Sequence, residues 1–235
     1  EFRRVLFRSM AARSFSDLFF KTKSKFLLGL SATPYRKDGL TNVLHHFLGN
    51  FSINITASSN SALVKTITIP SYQTIQENTP SKVQAYISKL ILDEKRNNLI
   101  VNVCLELLKE SRHILCLSSR IQHLNILHKR LKEHSSLYVG GLKKETLKAA
   151  ESSNIILGSY SMANEGLDIE SLDTLILATP FSDITQACGR IFRSSKANQL
   201  VIDIQDHNIS AFDIKNSIRL QFYERNGYTV TPYFN

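Results

Sequence analysis

Short apolar runs alternate with amphipathic helical patterns from Ile114 onward, and this alternation restricts the possible fold more than any other feature of the chain. Runs that are apolar at nearly every position are typical of strands buried on both faces of a parallel sheet. The alternation therefore predicts an α/β fold with right-handed crossovers between neighbouring strands. The predicted strands are Ile114–Leu117, Leu137–Val139, Ile155–Leu157, Thr174–Ala178 and Leu200–Ile204.

Helical patterns fill the spaces between these strands. Leu124, Leu127 and Leu131 fall on one helix face, and a final helix is expected from Ala211 to about Arg225. A long helix is expected from Lys82 to about Glu110, before the first of these strands.

The chain before residue 82 has a different organisation. Phe26–Leu30 is another buried-type strand, and Leu63–Ile69 alternates as a strand does. A short helix between them carries Val43, Leu44, Phe47 and Leu48. Pro70 and Pro80 bracket a polar stretch that predicts a linker. One strand and one helix cannot close a core, so we expect residues 10–70 to be the end of a first lobe, 71–81 a linker and 82–235 a second lobe.

The first nine residues, EFRRVLFRS, resemble the translation of a sequencing-library adapter and are excluded from fold reasoning. They lack the apolar core of a signal peptide. Without them the net charge falls from +9 to +7, because they hold three arginines and one glutamate. Met10 then need not be an initiator, and we expect a gene cut upstream.

The positive net charge favours a polyanionic partner, since Lys and Arg neutralise phosphates. No apolar run approaches the roughly 20 residues that cross a bilayer, so no membrane partner is expected. Cys104, Cys116 and Cys188 lie far apart, which predicts buried thiols and no metal site.

Two of four candidate functional segments follow predicted strands directly. Ser31-Ala32-Thr33 ends the strand Phe26–Leu30, at the edge where open α/β sheets place ligands. Ser118-Ser119-Arg120 leads into a helix whose first N–H groups are free to bind a phosphate. Serine capping of the same N–H groups is the structural alternative for the second segment.

The third and fourth segments lie in the last 80 residues. Gly166 permits close approach of the backbone, and Asp168 can accept hydrogen bonds from a sugar or hold an arginine. Arg190 and Arg193 share a helix face with Gln186, and paired guanidinium groups suit a γ-phosphate. A loop turn and a solvated basic patch are the respective structural alternatives.

The order of the four segments resembles motifs III, IV, V and VI of superfamily 2 helicases. LGLSATPYRKDGL, EGLDI and QACGRIFR are most similar to the XPB-like group, which includes helicases of large DNA viruses of the poxvirus and giant-virus type. The resemblance covers residues 10 to 235. It implies a complete second RecA-like lobe, a parallel sheet with flanking helices, preceded by the tail of a truncated first RecA-like lobe.

Roles for the candidate residues follow from this resemblance. Arg190 and Arg193 would reach the γ-phosphate of ATP, with Gln186 beside them, while Gly166 and Asp168 would contact the nucleotide. Ser31, Ala32 and Thr33 would couple the two lobes. Ser118, Ser119 and Arg120 would face the nucleic-acid backbone.

Two motifs of these helicases, the P-loop and the DExH box, are missing from the chain. A P-loop has the pattern G-x-x-x-x-G-K-[ST], and no such run exists in the chain. A DExH box for Mg²⁺ is also absent, and Leu92-Asp93-Glu94-Lys95 is expected in the middle of a helix. ATP and Mg²⁺ are therefore the cofactors expected of the intact protein, whereas this chain alone is expected not to hydrolyse ATP.

Three functions are compatible with the sequence. The first is an ATP-dependent DNA helicase or translocase, the second is an RNA helicase of the same superfamily, and the third is a RecA-like module that binds nucleic acid without catalysis. The sequence analysis favours DNA over RNA as the partner and leaves the oligomeric state open.

Overall fold

A computed structural model of the chain divides it into two compact units, Glu1–Ser58 and Ser59–Asn235. The structure describes residues 41–49, 62–75, 79–165, 169–191 and 198–234, and for residues 44, 47, 71–75, 164, 165, 190 and 191 it describes the backbone alone. In the first unit, the predicted short helix is confirmed as α1, Thr41–Leu48.

The second unit is built on a seven-stranded sheet in which every pair of neighbouring strands is parallel. The strand order is β3-β4-β2-β5-β6-β1-β7. The strands are β1 Leu63–Ile75, β2 Ile114–Ser118, β3 Ser135–Tyr138, β4 Ile155–Ser159, β5 Thr174–Leu177, β6 Leu200–Ile209 and β7 Thr229–Pro232.

Helices connect these strands, as the alternation predicted. They are α2 Pro80–Leu90, α3 Glu94–Lys109, α4 Ile121–Leu131, α5 Lys144–Ala150, α6 Tyr160–Glu165, α7 Thr185–Ile191 and α8 Ser210–Arg225. None of the helices in the described ranges is long and apolar enough to cross a membrane.

Both faces of the sheet are covered, which explains the uniformly apolar strands. Ile114 and Cys116 of β2 pack into one hydrophobic cluster, and Leu115 and Leu117 pack into a second cluster. All three cysteines are buried with free thiols. The predicted α/β class and the five predicted strands are confirmed.

Strand β1 corrects the predicted domain boundary. It runs through Pro70 to Ile75 and pairs with β6 from Leu63 opposite Leu200 to Pro70 opposite His207. The stretch assigned to the end of a first lobe and to a linker is thus a strand inside the second unit's sheet. The register shifts between Pro70 and Ile75, which is where a residue without an N–H weakens a ladder. The division lies near residue 58 instead of residue 70.

The single long helix predicted from Lys82 to Glu110 is also wrong, because two helices replace it. Asp93 caps α3, since its side chain accepts a hydrogen bond from the N–H of Arg96 at 3.0 Å. Leu92–Lys95 therefore lies at a break between helices and not within one. An Asp directly before a helical pattern is a capping signal, because its side chain accepts from a free N–H group of the first turn.

Candidate nucleotide and nucleic-acid site

Strands β2, β4 and β5 end at one edge of the sheet, and the second candidate segment lies there. Ser118 lies opposite Ser159 in the pairing of β2 with β4. Thr179, just after β5, joins these strand ends: its hydroxyl accepts from the N–H of Ser119 at 2.9 Å, and its carbonyl accepts from the hydroxyl of Tyr160 at 2.8 Å. Open α/β sheets bind ligands outside the carboxyl ends of their strands. The described part of the candidate site thus lies where such a fold places a ligand.

Ser118 does not face a ligand, and its predicted contact with nucleic acid is wrong. Its side chain is fully buried. Its hydroxyl lies 3.0 Å from Nδ1 of His123 and accepts from the N–H of Arg120 at 3.2 Å. Nε2 of His123 lies 3.0 Å from Oδ1 of Asn97, whose amide donates to the carbonyl of Ile91. Because that amide oxygen can only accept, His123 carries its proton on Nε2, and Ser118 donates to Nδ1. Ser118 therefore fixes the loop that its two neighbours occupy.

The two neighbours are more accessible. Ser119 is exposed, and Arg120 is half-buried at the start of α4. The Nη2 of Arg120 donates to Oε1 of Gln84 in α2. Arg120 is thus held by α2 in this structure.

Helix α7 carries the last candidate segment. Ala187 and Cys188 are buried and hold the helix against the core, while Gln186 is half-buried. Arg190 lies one residue before the end of α7, and its backbone alone is described. Helix α7 packs against α6, which follows β4. The helix is therefore fixed at the same edge of the sheet as Ser119 and Arg120.

Several predicted residues lie outside the described residues. They are Ser31, Ala32, Thr33, Gly166, Asp168 and Arg193. Their roles stay predictions.

A buried ion pair behind α7 was not predicted from the sequence. Arg219 of α8 and Asp203 of β6 are both completely buried, with Nη2 of the arginine 2.9 Å from Oδ1 of the aspartate. Nη1 of Arg219 donates to the carbonyl of Phe181, in the segment between β5 and α7. The hydroxyl of Tyr223 donates to the other oxygen of Asp203 at 3.2 Å. The pair thereby connects β6 and α8 to the segment that leads into α7.

The apolar pattern of α8 does not point to Arg219. Phe212, Asn216, Arg219 and Tyr223 are the buried residues of this helix, and their spacing is that of one face. The apolar residues Ile214 and Ile218, by contrast, are exposed. Hydrophobicity alone therefore selects the wrong face of this helix.

The His123 site predicts a pH dependence of stability. Burial, followed by the charges of Arg96 and Arg130, lowers the pKa of His123 from 6.5 to about 3. The unfolded chain then binds the extra proton as the pH falls below 6.5, so the stabilisation present at neutral pH is lost toward pH 3. Between pH 7 and pH 5 we expect a loss of about 2 kcal/mol from this residue.

Urea unfolding of wild type and His123→Gln at both pH values measures this loss. The variant should be less stable at pH 7 and should lose about 2 kcal/mol less between pH 7 and pH 5. His134→Gln, at an exposed histidine, should keep the wild-type dependence. An equal pH dependence in His123→Gln and wild type would contradict the assignment.

Curated proteins similar to this chain are viral. The chain is 32% identical over 247 residues to a protein named putative ATP-dependent RNA helicase from Acanthamoeba polyphaga mimivirus, an alignment that covers 96% of this chain and 47% of that protein. It is 26% identical over 245 residues to a protein of the same description from African swine fever virus, covering 91% of this chain and 48% of that protein. The chain thus spans about half the length of these relatives. No protein-family model matches the chain.

Two solved structures described here share the fold of this chain. T4 UvsW matches with a TM-score of 0.59 and 19% identity, over 82% of this chain and 45% of that chain. Dbp5 from S. cerevisiae, bound to RNA and ADP BeF3, matches with a TM-score of 0.62 and 14% identity, over 96% of this chain and 57% of that chain. At these identities the likeness concerns the fold, a RecA-like α/β lobe.

Proposed function

Since this chain belongs to the superfamily 2 helicases, we propose that it is the second RecA-like lobe of an ATP-dependent motor that moves on or unwinds RNA. The observation that supports the proposal is the hydrogen bonding of Thr179, just after β5, to Ser119 after β2 and to Tyr160 after β4, at the carboxyl edge of the sheet. Residues 10–58 would be the end of the first lobe, which would hold the phosphates of ATP.

The residues of this chain would contact the nucleotide from the second lobe. Arg190 and Arg193 would reach the γ-phosphate from α7 and the residues after it, with Gln186 on the same helix face. Gly166 and Asp168 would contact the nucleotide from the neighbouring segment, and Ser31, Ala32 and Thr33 would transmit its state between lobes. Such arginines stabilise charge that develops on the transferred phosphoryl group.

ATP would supply the phosphoryl group that is transferred to water. The chain has no P-loop run, and the described residues include no group of three or more His, Cys, Asp or Glu side chains that could hold a metal ion. The arginines of this chain would bind the γ-phosphate, and the lobe that precedes this one would hold Mg²⁺.

RNA is proposed as the partner in place of the DNA that the sequence analysis favoured. Both relatives described above are named as RNA helicases. Ser119 and Arg120 are the exposed and half-buried residues that would contact the strand.

Binding of the chain to matched single strands tests the partner. We expect a fluorescently labelled RNA to bind more tightly than the DNA of the same sequence, with an affinity that falls as salt rises. Arg120→Gln should weaken RNA binding by about tenfold, because it removes one charged hydrogen bond to the strand. Lys109→Gln, at an exposed lysine on the opposite edge of the sheet, should leave binding unchanged. Tighter binding of DNA would reject RNA as the partner.

The chain alone is expected to release no phosphate from ATP above background, with or without RNA. Hydrolysis at the rate of an intact motor would contradict the proposed division of the site between two lobes.

A further inference from the structure

The segment that leads from β5 toward α7 is held by side chains at four successive backbone carbonyls. It comprises residues 178–181, of which the first three are buried outside any helix or strand. Each carbonyl accepts a hydrogen bond from a different side chain: Ala178 from Arg96 at 2.7 Å, Thr179 from Tyr160 at 2.8 Å, Pro180 from Lys215 at 3.4 Å and Phe181 from Arg219 at 3.0 Å. Buried carbonyls need such partners where no helix or ladder supplies them. The donors belong to α3, α6 and α8, so three helices hold one short segment.

Tyr160 contacts this segment in two ways. It is the first residue of α6, directly after β4, and only 4% of it is exposed. Its ring stacks on that of Phe181, with the ring centroids 4.0 Å apart and an angle of 10° between the planes. Burial raises the pKa of Tyr160, so its hydroxyl keeps the proton that it donates to Thr179. Tyr160 thus binds the backbone of one residue in the segment and the side chain of another.

The position of α7 depends on this segment. Three residues separate Phe181 from Thr185, where α7 begins, and one of them, Ile184, is completely buried. A helix of seven residues has little stability of its own, so its surroundings must hold it in place. Arg190 is the sixth of those seven residues. Because a misplacement of about 1 Å can cost about 10²-fold in rate, whatever holds α7 affects what Arg190 can do.

We propose that Tyr160 is a positioning residue for Arg190. Its hydroxyl and its ring hold residues 178–181, and this segment sets the position of α7 at the carboxyl edge of the sheet. The proposal rests on the proposed function, in which Arg190 reaches the γ-phosphate. Tyr160 is buried and therefore acts through Arg190, without touching ATP itself. Tyr160 is also the cleanest of the four donors to test, since Arg96 and Arg219 each pair with a buried carboxylate whose exposure to substitution would dominate the result.

Hydrogen exchange of the full chain, without ATP or RNA, measures how firmly α7 is held. Tyr160→Phe keeps the ring and removes the hydroxyl, so the amides of α7 should exchange about threefold to tenfold faster, the factor expected for one hydrogen bond. The amides of α4 should exchange as they do in wild type, because the opening is local. Tyr233→Phe is the matched control, since it removes a hydroxyl that donates to Glu106 at 2.9 Å, and it should leave α7 unchanged. Unchanged exchange of α7 in folded Tyr160→Phe would overturn the proposal.

ATP hydrolysis by a protein that joins this chain to a complete ATP-binding lobe separates positioning from a loss of folded protein. Tyr160→Phe should lower kcat about threefold to tenfold and leave KM for ATP within about twofold of wild type. Because Tyr160 acts through Arg190, adding Tyr160→Phe to Arg190→Ala should lower kcat no further. Losses that multiply in the double variant would also overturn the proposal.

The two measurements distinguish this proposal from the function on which it rests. If Arg190→Ala hydrolyses ATP at the wild-type rate, the proposed function fails and the positioning role fails with it, even where hydrogen exchange shows that Tyr160 holds α7. If Arg190→Ala loses activity while Tyr160→Phe changes neither exchange nor kcat, the proposed function stands and only the role of Tyr160 is rejected.

Discussion

Replacing Arg190 by alanine, in a protein that joins this chain to a complete ATP-binding lobe, is expected to lower kcat for ATP hydrolysis by about 10³-fold or more. The guanidinium group would bind the γ-phosphate most strongly when charge develops on its oxygens in the transition state. An interaction made mainly in the transition state lowers kcat more than it raises KM. Steady-state hydrolysis with saturating RNA measures both constants.

Two further variants make this test specific. Arg190→Lys keeps the charge without the planar pair of donors, so it should recover only part of the rate. Arg225→Ala, at an exposed arginine that ends α8, should leave kcat unchanged. A value of kcat for Arg190→Ala close to wild type would remove Arg190 from the proposed catalytic site.

Replacing Arg219 by methionine is expected to destabilise the fold by about 3–5 kcal/mol. The substitution keeps most of the side-chain volume but leaves Asp203 as a buried carboxylate without its cation. Tyr223 still donates to Asp203, but a neutral donor does not balance a full charge in a buried site. Urea unfolding followed by circular dichroism gives the free energy of unfolding.

A surface pair provides the matched control. Arg130 and Glu94 are joined at 2.6 Å, with side chains 24% and 75% exposed. Arg130→Met should therefore cost about 1 kcal/mol or less. Asp203→Asn combined with Arg219→Met should recover part of the loss, because asparagine is neutral. Similar losses of unfolding free energy for Arg219→Met and Arg130→Met would show that the buried pair stabilises the fold no more than the surface pair does.

The strands were predictable because a parallel strand that is buried on both faces has apolar residues at nearly every position. Strands β2 and β5 are buried along their whole length. Strand β1 was recognised as a strand but placed in the wrong lobe, since its alternating pattern states which residues are buried and not which strand is the neighbour. Strand β7 was not predicted, because it is mostly exposed at the edge of the sheet and has no apolar run.

The sequence pattern predicted that Ser118-Ser119-Arg120 follows a strand, but not the orientation of each side chain. The order of the motif segments placed them at strand ends, where the structure has Ser119, Arg120 and α7. Ser118 was misassigned because its partner His123 is itself held by Asn97, 26 residues earlier in the chain. Local pattern cannot show a hydrogen-bond chain between separate helices. Arg219 was missed for a related reason, since a charged residue on a buried face is recognisable only once Asp203 is seen opposite it.

The pairing of β1 has a consequence for the way the chain folds as it is synthesised. Strand β1 is the first strand of the sheet to be made, yet its two neighbours, β6 and β7, are the last. Until residues 200–232 have left the ribosome, both edges of β1 lack partners, and Val64 and Ile67 lack the core that buries them. Pairings between such distant segments form slowly, and unpaired strand edges promote aggregation. The final 36 residues of the chain therefore govern when the second unit can close, and a chain that ends before β6 would lack the strand that joins β1 to β5.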